Sequence, residues 1–300
     1  MMPFLTIFTA SKPFTNPHIN IIQRNAIQSW KRLEDVEVIL IGDEPGVPET
    51  ARELGVRNVK FVERDEKGIP TVRSVMEVGH ANSESPFLCY ANADMILMSD
   101  LLQATHQVSA QAKDFLMVGQ RWDLDLTEPL DFSPDWEARL RLLVEQRGIF
   151  YSPWGIDYFV FPRHLYTEVP NFTIGRPAWD NWMVFHARQT WGLVVDATRS
   201  VMVVHQSHDY SHLPGNKPPY GSEVAKSNLA KAGGRRCINN ILDTNSELIS
   251  GKIRRPKFHL ARLLRRLEWL FITDDLGSLR AQFGFRLQKM QRPLAVIPRR

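Results

Sequence analysis

The sequence predicts an α/β fold built on a mainly parallel sheet with helices on both faces. Over roughly the first third of the chain, short apolar runs alternate with amphipathic stretches, as strands and helices do in such folds. The apolar runs are nearly continuous, which is typical of strands that are covered on both faces. A length of 300 residues also allows a core large enough to enclose such a sheet.

The elements of the first half can each be justified from local sequence. The β-branched and aromatic run FLTIFT predicts a first strand at 4–9. Asn16 followed by Pro17 predicts the cap and first turn of a helix that continues through the periodic stretch INIIQRNAIQSWKRL. The same criteria predict strands at 36–42 and 59–63, a fourth strand within 86–101, and helices at 47–56 and 70–82.

The second half shows weaker periodicity and ends in a different kind of sequence. Further strands are predicted at 115–122, 156–161 and 201–205, and helices at 134–146 and 179–189. A stretch rich in proline and glycine, HLPGNKPPYG, interrupts the pattern, and polar helical segments follow it. We therefore expect one α/β domain over residues 1–213 and a helical, basic extension over residues 214–300.

The charge of the chain is unevenly distributed. The formal net charge is +4, but the segment from Lys252 onward holds 13 basic and 3 acidic residues, a balance of +10 that leaves −6 for the rest. Two cysteines argue against a disulfide framework and for a reducing, cytoplasmic location. The N-terminal MMPFLTIFTASKPF is expected to be a strand and not a signal peptide, and no apolar run approaches the roughly 20 residues that cross a bilayer.

Polar side chains follow three of the predicted strands at the point where each strand ends. Asp94 interrupts the apolar stretch PFLCYANADMILMSDL, Asp43 follows the second strand, and Ser11 and Lys12 follow the first. The carboxyl ends of parallel strands share one edge of a sheet, where ligands bind. A hard cation at this edge would account for a carboxylate in an apolar stretch.

The order of these motifs resembles the nucleotide-sugar glycosyltransferases of the GT-A fold, over about residues 3–213. In that family a short acidic motif, often Asp-x-Asp, ends the fourth strand and binds a divalent metal on the diphosphate of the donor. The matching triplet here is Asn-Ala-Asp, which ends at Asp94. The resemblance implies a three-layer αβα fold and makes Asp94 a ligand of Mn²⁺ or Mg²⁺.

The resemblance also implies which residues bind the nucleotide-sugar donor. Asp43 stands where the family has an acid that recognises the base, and Arg73 where it has a helix residue facing the nucleotide or sugar. Asn92 replaces the first acid of the motif and is expected to bind the ribose or the sugar. Ser11 and Lys12, in the loop after the first strand, complete the predicted donor site.

Two later stretches extend the resemblance to the acceptor side. GRPAWDNWMV places Asp180 at the start of a helix, where inverting members carry their general base. VMVVHQSHDYSH ends a strand with His205, where some members supply a second metal ligand. Trp154, Trp179 and Trp182 are expected to stack on acceptor sugars.

A purely structural role could also explain the presence of each of these residues. Asp94 could cap a turn, Asp43 could belong to an ordinary Asp-Glu-Pro-Gly turn, and Arg73 could be ion-paired or solvated. Asp180 could favour the helix dipole, and the tryptophans spaced three apart could share a buried helical face.

Two other motifs are expected to lie outside the metal site. Asp123 and Asp125 form a literal Asp-x-Asp, but it comes one element too late and is expected at most on the acceptor side. His208, Asp209 and His212 follow the strand of the predicted histidine ligand, without the helical H-E-x-x-H spacing of a hydrolase zinc site.

The function predicted from these residues is a metal-dependent glycosyltransferase of polysaccharide biosynthesis that moves a sugar from a nucleotide-diphospho-sugar to a glycan or lipid-linked acceptor. A sugar nucleotidyltransferase is the first alternative, although the loop ASKPFTNP lacks the glycines usual in such enzymes. A non-catalytic nucleotide-sugar-binding protein is the second, because an amide replaces one acid of the motif.

The basic extension contains a helical pattern, HLARLLRRLEWLF, with leucines and arginines interspersed at residues 259–271. One interpretation is a helix lying on the anionic inner face of a membrane. The favoured interpretation is a helix packed on the main domain with its charges in water. Nucleic-acid binding is not expected, since no recognised module accompanies the charge.

Overall fold

A computed structural model describes residues 2–208 and 221–295. The predicted boundary between residues 213 and 214 lies outside the described residues, as do Asp209 and His212. The division into two domains therefore stays a prediction.

The described strands form two sheets. The larger contains nine of these strands in the order β13-β12-β10-β6-β9-β4-β1-β2-β3, and all but β9 and β13 run in the same direction. The strands are β1 (Leu5–Ala10), β2 (Val36–Ile41), β3 (Arg57–Val59), β4 (Phe87–Ala91), β5 (Met95–Ile96), β6 (Leu116–Val118), β7 (Arg121–Leu124), β8 (Ile149–Phe150), β9 (Tyr158–Pro162), β10 (Val194–Asp196), β11 (Val203–Gln206), β12 (Ser246–Ile249) and β13 (Lys252–Arg254).

Helices cover both faces of the larger sheet. Trp30 of the first helix packs with Ile7 on one face, and Val75 of the third helix packs with Phe8 on the other. The predicted α/β class, with its three layers and mainly parallel sheet, is confirmed. The helices are α1 (Pro17–Lys31), α2 (Val47–Leu54), α3 (Val72–Ala81), α4 (Ser99–Ser109), α5 (Trp136–Arg147), α6 (Trp179–Thr190), α7 (Glu223–Ala232), α8 (Leu260–Trp269) and α9 (Leu279–Leu294).

The cap predicted for α1 is present. The Asn16 side chain accepts a hydrogen bond of 3.0 Å from the backbone N–H of Ile19, and Pro17 occupies the first turn. The side chain thus satisfies one of the helix's unpaired backbone N–H groups, and the proline has no N–H to leave unpaired. In the loop before this helix, the backbone of Lys12 exchanges hydrogen bonds of 2.8 and 3.0 Å with the Gln23 side chain of α1.

A smaller sheet, in the order β5-β11-β7-β8, lies beside the larger one. The single strand predicted at 115–122 is wrong, because Gly119 and Gln120 divide it into β6 in the larger sheet and β7 in the smaller. A Cβ on Gly119 would lie 2.5 Å from the Tyr158 hydroxyl, so the chain can cross here only with glycine.

The segment after residue 221 contains helices, as predicted, but it also extends the larger sheet. Strand β12 pairs in parallel with β10, and β13 pairs with β12 in the antiparallel direction. The C-terminal segment is therefore joined to the main body by backbone hydrogen bonds. Among the described helices, none is long and apolar enough to traverse a bilayer.

Candidate functional site

Asp94 lies in the turn between β4 and β5, where the chain passes from the larger to the smaller sheet. The turn is fixed by a hydrogen bond of 3.1 Å from Met95 N to the Asn92 carbonyl. The Trp30 indole donates to the Met95 carbonyl at 2.8 Å, and Gln206 N donates to the Asp94 carbonyl at 3.2 Å. The backbone around Asp94 is thus held from three directions.

Two histidines face the Asp94 carboxylate. Asp94 Oδ2 lies 3.2 Å from Nε2 of His208 and 3.8 Å from Nε2 of His205, and one ligand atom from each residue falls within 4.8 Å of the others. Asp94 Oδ1 is buried and has no hydrogen-bond partner among the residues the structure describes. One carboxylate and two imidazoles form a donor set that a divalent cation could occupy.

The charges around Asp94 favour its ionised form. Burial alone would raise the pKa of this carboxyl, but the charge of His205, a hydrogen bond from His208 and the charge of Lys12 hold the pKa well below its usual range. Lys12 Nζ lies 3.4 Å from His208 Nε2. The predicted pair of Asp94 and His205 therefore lies together, with Lys12 beside it.

Asp123 orients His205. The two residues are directly opposite each other on the parallel strands β7 and β11, and His205 Nδ1 lies 3.0 Å from Asp123 Oδ1. A carboxylate at Nδ1 favours the tautomer with a proton there and leaves Nε2 free to bind a metal. As expected, Asp123 is not among the grouped candidate ligands, but its contact with His205 was not predicted, and Asp125 is exposed.

A buried arginine connects this pair to a third acid. Arg121 donates to Asp123 at 3.0 Å and is also paired with Asp157, while its guanidinium lies 4.2 Å from the ring centre of Tyr151. Burial would lower the pKa of Arg121, but Asp157, Asp123 and then Asp94 raise it. Arg121 thus balances the negative charge that the strand ends bring together.

The amide of Asn92 takes part in the same network. Asn92 Nδ2 donates to Asp157 Oδ1 at 2.7 Å, and its Oδ1 accepts from the Tyr90 hydroxyl at 3.2 Å. An amide can donate to Asp157, whereas a carboxylate in this place would add a further negative charge beside it. The contacts account for Asn92 structurally, and its predicted role in donor binding stays a prediction.

Asp180 lies at the start of α6 beside the same group of acids. Its Oδ1 accepts from Asn181 N at 2.9 Å, and the helix begins after Ala178, whose φ of 90° is unusual for a residue with a side chain. Burial, followed by the charge of Asp157, raises the pKa of Asp180 to about 7, against the opposing effect of the backbone N–H groups. This value suits a general base at neutral pH.

Tyr90 of β4 connects the surroundings of these acids, because its hydroxyl donates to Asn92 at 3.2 Å and its ring packs against Trp179, the neighbour of Asp180. Burial raises the pKa of its hydroxyl, and Asp94, Asp157 and Asp180 raise it further through their charges. Tyr90 on β4 is therefore subject to the charges of Asp94, Asp157 and Asp180 together.

The predicted donor-binding residues occupy varied surroundings. Asp43 follows β2 and is paired at 2.7 Å with Arg64, and it stays largely exposed. Arg73 is exposed at the start of α3 and donates to the Val169 carbonyl at 2.9 Å. Ser11 is buried, and its hydroxyl has no hydrogen-bond partner among the described residues. The contacts of these residues with the protein neither support nor contradict donor binding, so their roles stay predictions.

The three tryptophans predicted to stack on sugars lie mostly inside the protein. Trp179 and Trp182 are only 5% and 7% exposed and pack against Tyr90 and Phe172, respectively. Their burial supports a role in the core, which is the structural alternative for this pair. Trp154 is half-buried, and one side of its ring is covered by an arginine from α8.

The sequence did not predict Arg121 and Asp157 as parts of the site, and the expectation that His208 lies outside the metal site is wrong, because His208 groups with Asp94 and His205. Asp157 directly precedes β9, a strand that runs against its neighbours, so its start lies at the same edge as the end of β4. Nothing in the local sequence indicates this reversed direction. Arg121 and Asp123 alternate along one strand and so share a face of it, a pattern that could have linked them.

Comparisons with known proteins give a distant likeness. No protein-family model matches the chain, and no curated protein matches it significantly. Glucosyl-3-phosphoglycerate synthase from Mycobacterium tuberculosis, solved with Mg²⁺ and uridine diphosphate, aligns over 86% of this chain and 87% of its own, at 14% identity and a TM-score of 0.47. GalNAc-T7, solved with UDP, GalNAc and Mn²⁺, aligns over 77% of this chain and 48% of its own, at 15% identity and a TM-score of 0.48.

Proposed function

We propose that this chain is a metal-dependent glycosyltransferase that uses a nucleotide-diphospho-sugar. The observation that carries the proposal is the grouping of Asp94, His205 and His208 just after β4, with the general-base candidate Asp180 beside Trp179, whose ring packs on Tyr90 of β4. A transferase of this kind needs a cation for the departing diphosphate and a base for the incoming hydroxyl. Both sets of groups are present on neighbouring elements.

The metal we propose is Mn²⁺ or Mg²⁺, with Mn²⁺ preferred. Mg²⁺ is held almost entirely by oxygen ligands, whereas imidazole nitrogens suit the transition metals better. With Asp94, His205 and His208 as ligands, two of the three protein donors are imidazoles. The bound cation would stabilise the negative charge of the leaving nucleoside diphosphate as a Lewis acid.

The chain's own residues supply the remaining parts of the reaction. Asp180 takes the proton of the acceptor hydroxyl as that oxygen attacks the anomeric carbon, which fits an inverting reaction. Lys12, close to the metal ligands, contributes positive charge toward the diphosphate. Arg121 holds Asp123 and Asp157 in place, and Asp123 in turn orients His205.

We propose that the nucleotide-sugar donor is bound by Ser11, Lys12, Asp43, Arg73 and Asn92. Asp43 would contact the nucleobase while keeping its ion pair with Arg64. The carboxylate is 62% exposed and can accept more than one hydrogen bond.

The acceptor we propose is a glycan or a lipid-linked sugar of polysaccharide biosynthesis, and the enzyme is expected to be cytoplasmic. Trp154, beside the loop that contains Asp157, is the most exposed of the three predicted stacking residues.

Calorimetric titration tests the proposal directly. Uridine, guanosine and thymidine diphosphates should be titrated into the full chain with and without Mn²⁺. We expect one of them to bind more tightly with Mn²⁺, and Asp94→Asn to abolish that gain. Asp125→Asn is the control, because Asp125 is exposed and makes no described contact with the metal ligands.

Product analysis separates the alternatives. A glycosyltransferase should slowly hydrolyse its nucleotide-sugar to the sugar and nucleoside diphosphate, and Asp94→Asn should lose this activity. A sugar nucleotidyltransferase would instead form the nucleotide-sugar from a sugar phosphate and a nucleoside triphosphate. Binding without turnover of either kind would indicate a non-catalytic protein and contradict the proposal.

A further inference from the structure

Helix α8 packs on the protein with three of its four charged side chains inward. Arg262 and Arg265 are 9% and 1% exposed, and Glu268 is 6% exposed. Arg265 pairs with Asp243 at 2.9 Å and with Glu268 at 3.0 Å, and Arg262 pairs with Glu247 at 3.3 Å. The favoured sequence interpretation, a helix with its charges in water, is therefore wrong for these three residues.

Four leucines within and just after the same helix face outward, whereas Leu264 is buried. Leu260, Leu263, Leu267 and Leu270 are 51%, 37%, 40% and 63% exposed. Their spacing places them on one side of an α-helix. A helix that faces solvent normally has the opposite arrangement, with apolar residues inside and charges outside. The outward leucine row of α8 is therefore an unpartnered apolar surface within the described structure.

Helix α9, which packs beside α8, carries a second row of this kind. Leu279, Phe283, Met290 and Leu294 are 84%, 46%, 54% and 41% exposed. They too lie on one side of their helix. The Phe283 ring contacts Phe271, just after α8, with ring centres 4.6 Å apart. Single exposed apolar residues are common, but two adjoining rows are not.

Exposed basic side chains surround these rows. Arg255, Lys257 and Arg266 are exposed next to or within α8, and Arg280 and Arg286 are exposed on α9. Among the described residues from Lys252 onward, eight basic side chains are exposed against two acidic ones, Asp274 and Asp275. Apolar residues flanked by lysines and arginines are the composition of helices that lie in the interface of an anionic bilayer.

We propose that the outward rows of α8 and α9 rest on the surface of an anionic lipid membrane, without crossing it. A second copy of the chain fits this surface less well. Two segments of the same strong positive charge would repel each other, and the centres of protein interfaces are depleted of charge. Lipid phosphates supply the complementary charge.

The position of α8 connects this surface with the candidate site. The Arg265 guanidinium lies 4.9 Å from the ring centre of Trp154, in the loop that leads to Asp157. The membrane-facing helix thus packs directly against one wall of the site. An acceptor held in the same bilayer would be presented to that wall.

Vesicle binding tests the proposal without any catalytic reaction, so its outcome is separate from that of the proposed function. The full chain should be sedimented with vesicles of phosphatidylcholine alone and with vesicles containing equal parts of phosphatidylglycerol. The test variant is Leu263→Glu with Leu267→Glu. The control is Phe61→Glu with Leu142→Glu, two residues that are 70% and 57% exposed elsewhere in the chain.

We expect binding to the anionic vesicles, much weaker binding to the neutral ones, and weakening by salt. The test variant should bind at least about tenfold more weakly than the wild type, because it removes apolar contact and adds repelled charge, while the control binds normally. Equal binding by test and control variants, or no binding by the wild type, would overturn the proposal. So would a dimer that the test variant dissociates, without vesicle binding.

Discussion

Asp94 shows how a buried carboxylate within an apolar stretch can stay ionised. The residue stands where the chain leaves one sheet and enters another, and two histidines face it. Its surroundings lower the pKa of the carboxyl in spite of its burial, so the ionised form is present at neutral pH. A second carboxylate at Asn92 would meet Asp157, which explains why an amide stands there.

The two acids at 123 and 125 provide a matched test of how the histidine is positioned. Asp123→Asn removes the carboxylate that fixes the His205 tautomer, so Mn²⁺ affinity should fall about 10- to 100-fold. Asp125→Asn should leave the affinity unchanged, because Asp125 is exposed. Calorimetric titration with Mn²⁺ alone measures both. Equal affinities in the two variants would show that Asp123 does not position the ligand.

Asp180 should set the pH dependence of the reaction. With a pKa of about 7, the carboxyl is protonated in acid and cannot accept a proton. The rate kcat/KM should therefore rise with pH up to about 7 and then level off. Asp180→Asn should reduce the rate by about 10²- to 10⁴-fold and remove this pH dependence. A retained rise in the variant would assign the base to another residue.

The same carboxyl should make the protein less stable as pH rises. Its pKa is 3.8 when unperturbed and about 7 in the folded chain. Between these values the folded state holds a proton that the unfolded state has lost, so the free energy of unfolding falls with increasing pH. Asp180→Asn should raise the melting temperature at pH 8 by about 2 °C or more, with a smaller effect at pH 4. Calorimetry at the two pH values checks this.

At the scale of elements, local sequence predicts most of the first half well. The bounds of α1, β2 and α2 agree with the predictions, because caps, prolines and apolar runs act over a few residues, whereas the stretch 86–101 predicted to hold the fourth strand contains β4, β5 and the start of α4. The predicted third strand at 59–63 is displaced, since the strand occupies 57–59. Helix α4, β10 and the two C-terminal strands were not predicted. Their sequences are short or ambiguous, and distant pairing determines them.

The candidate site is only partly predictable for the same reason. Asp94 follows from its place at a strand end, and His205 follows from the family resemblance. The contact of Asp123 with His205 was not predicted, because the strand predicted at 115–122 runs through the glycine where the chain changes sheets. Arg121 and Asp157 depend on the pairing of distant strands, which no local pattern discloses.

The attachment of α8 should depend on one buried arginine. Arg265→Ala would leave Asp243 and Glu268 without their cation in a buried place, so the free energy of unfolding should fall by about 3–5 kcal/mol. The neighbouring Arg266 is exposed, and Arg266→Ala should change it by less than about 0.5 kcal/mol. Urea denaturation of both variants measures the difference. Similar stabilities would mean that the helix is held mainly by apolar contacts.

At the scale of the whole molecule, a bound cation should stabilise the fold. Its ligands come from the turn after β4 and from the end of β11, which are far apart in sequence. A ligand that binds only the folded state raises stability in proportion to the logarithm of its concentration over its dissociation constant. Mn²⁺ should therefore raise the melting temperature of the wild type, and the shift should be absent in Asp94→Asn. A shift that persists would locate the cation elsewhere.

The reversed strand β9 has a consequence for how such a protein can diversify. At the edge of the sheet that carries Asp94, the parallel strands contribute the loops that follow them. Strand β9 runs in the opposite direction, so it contributes the loop that precedes it. Substitutions or insertions just upstream of Asp157 would thus change the proposed acceptor side, while the proposed metal ligands stay on or just after β11 and in the turn after β4. The choice of acceptor could therefore change through this loop, while the residues proposed to bind the donor stay the same.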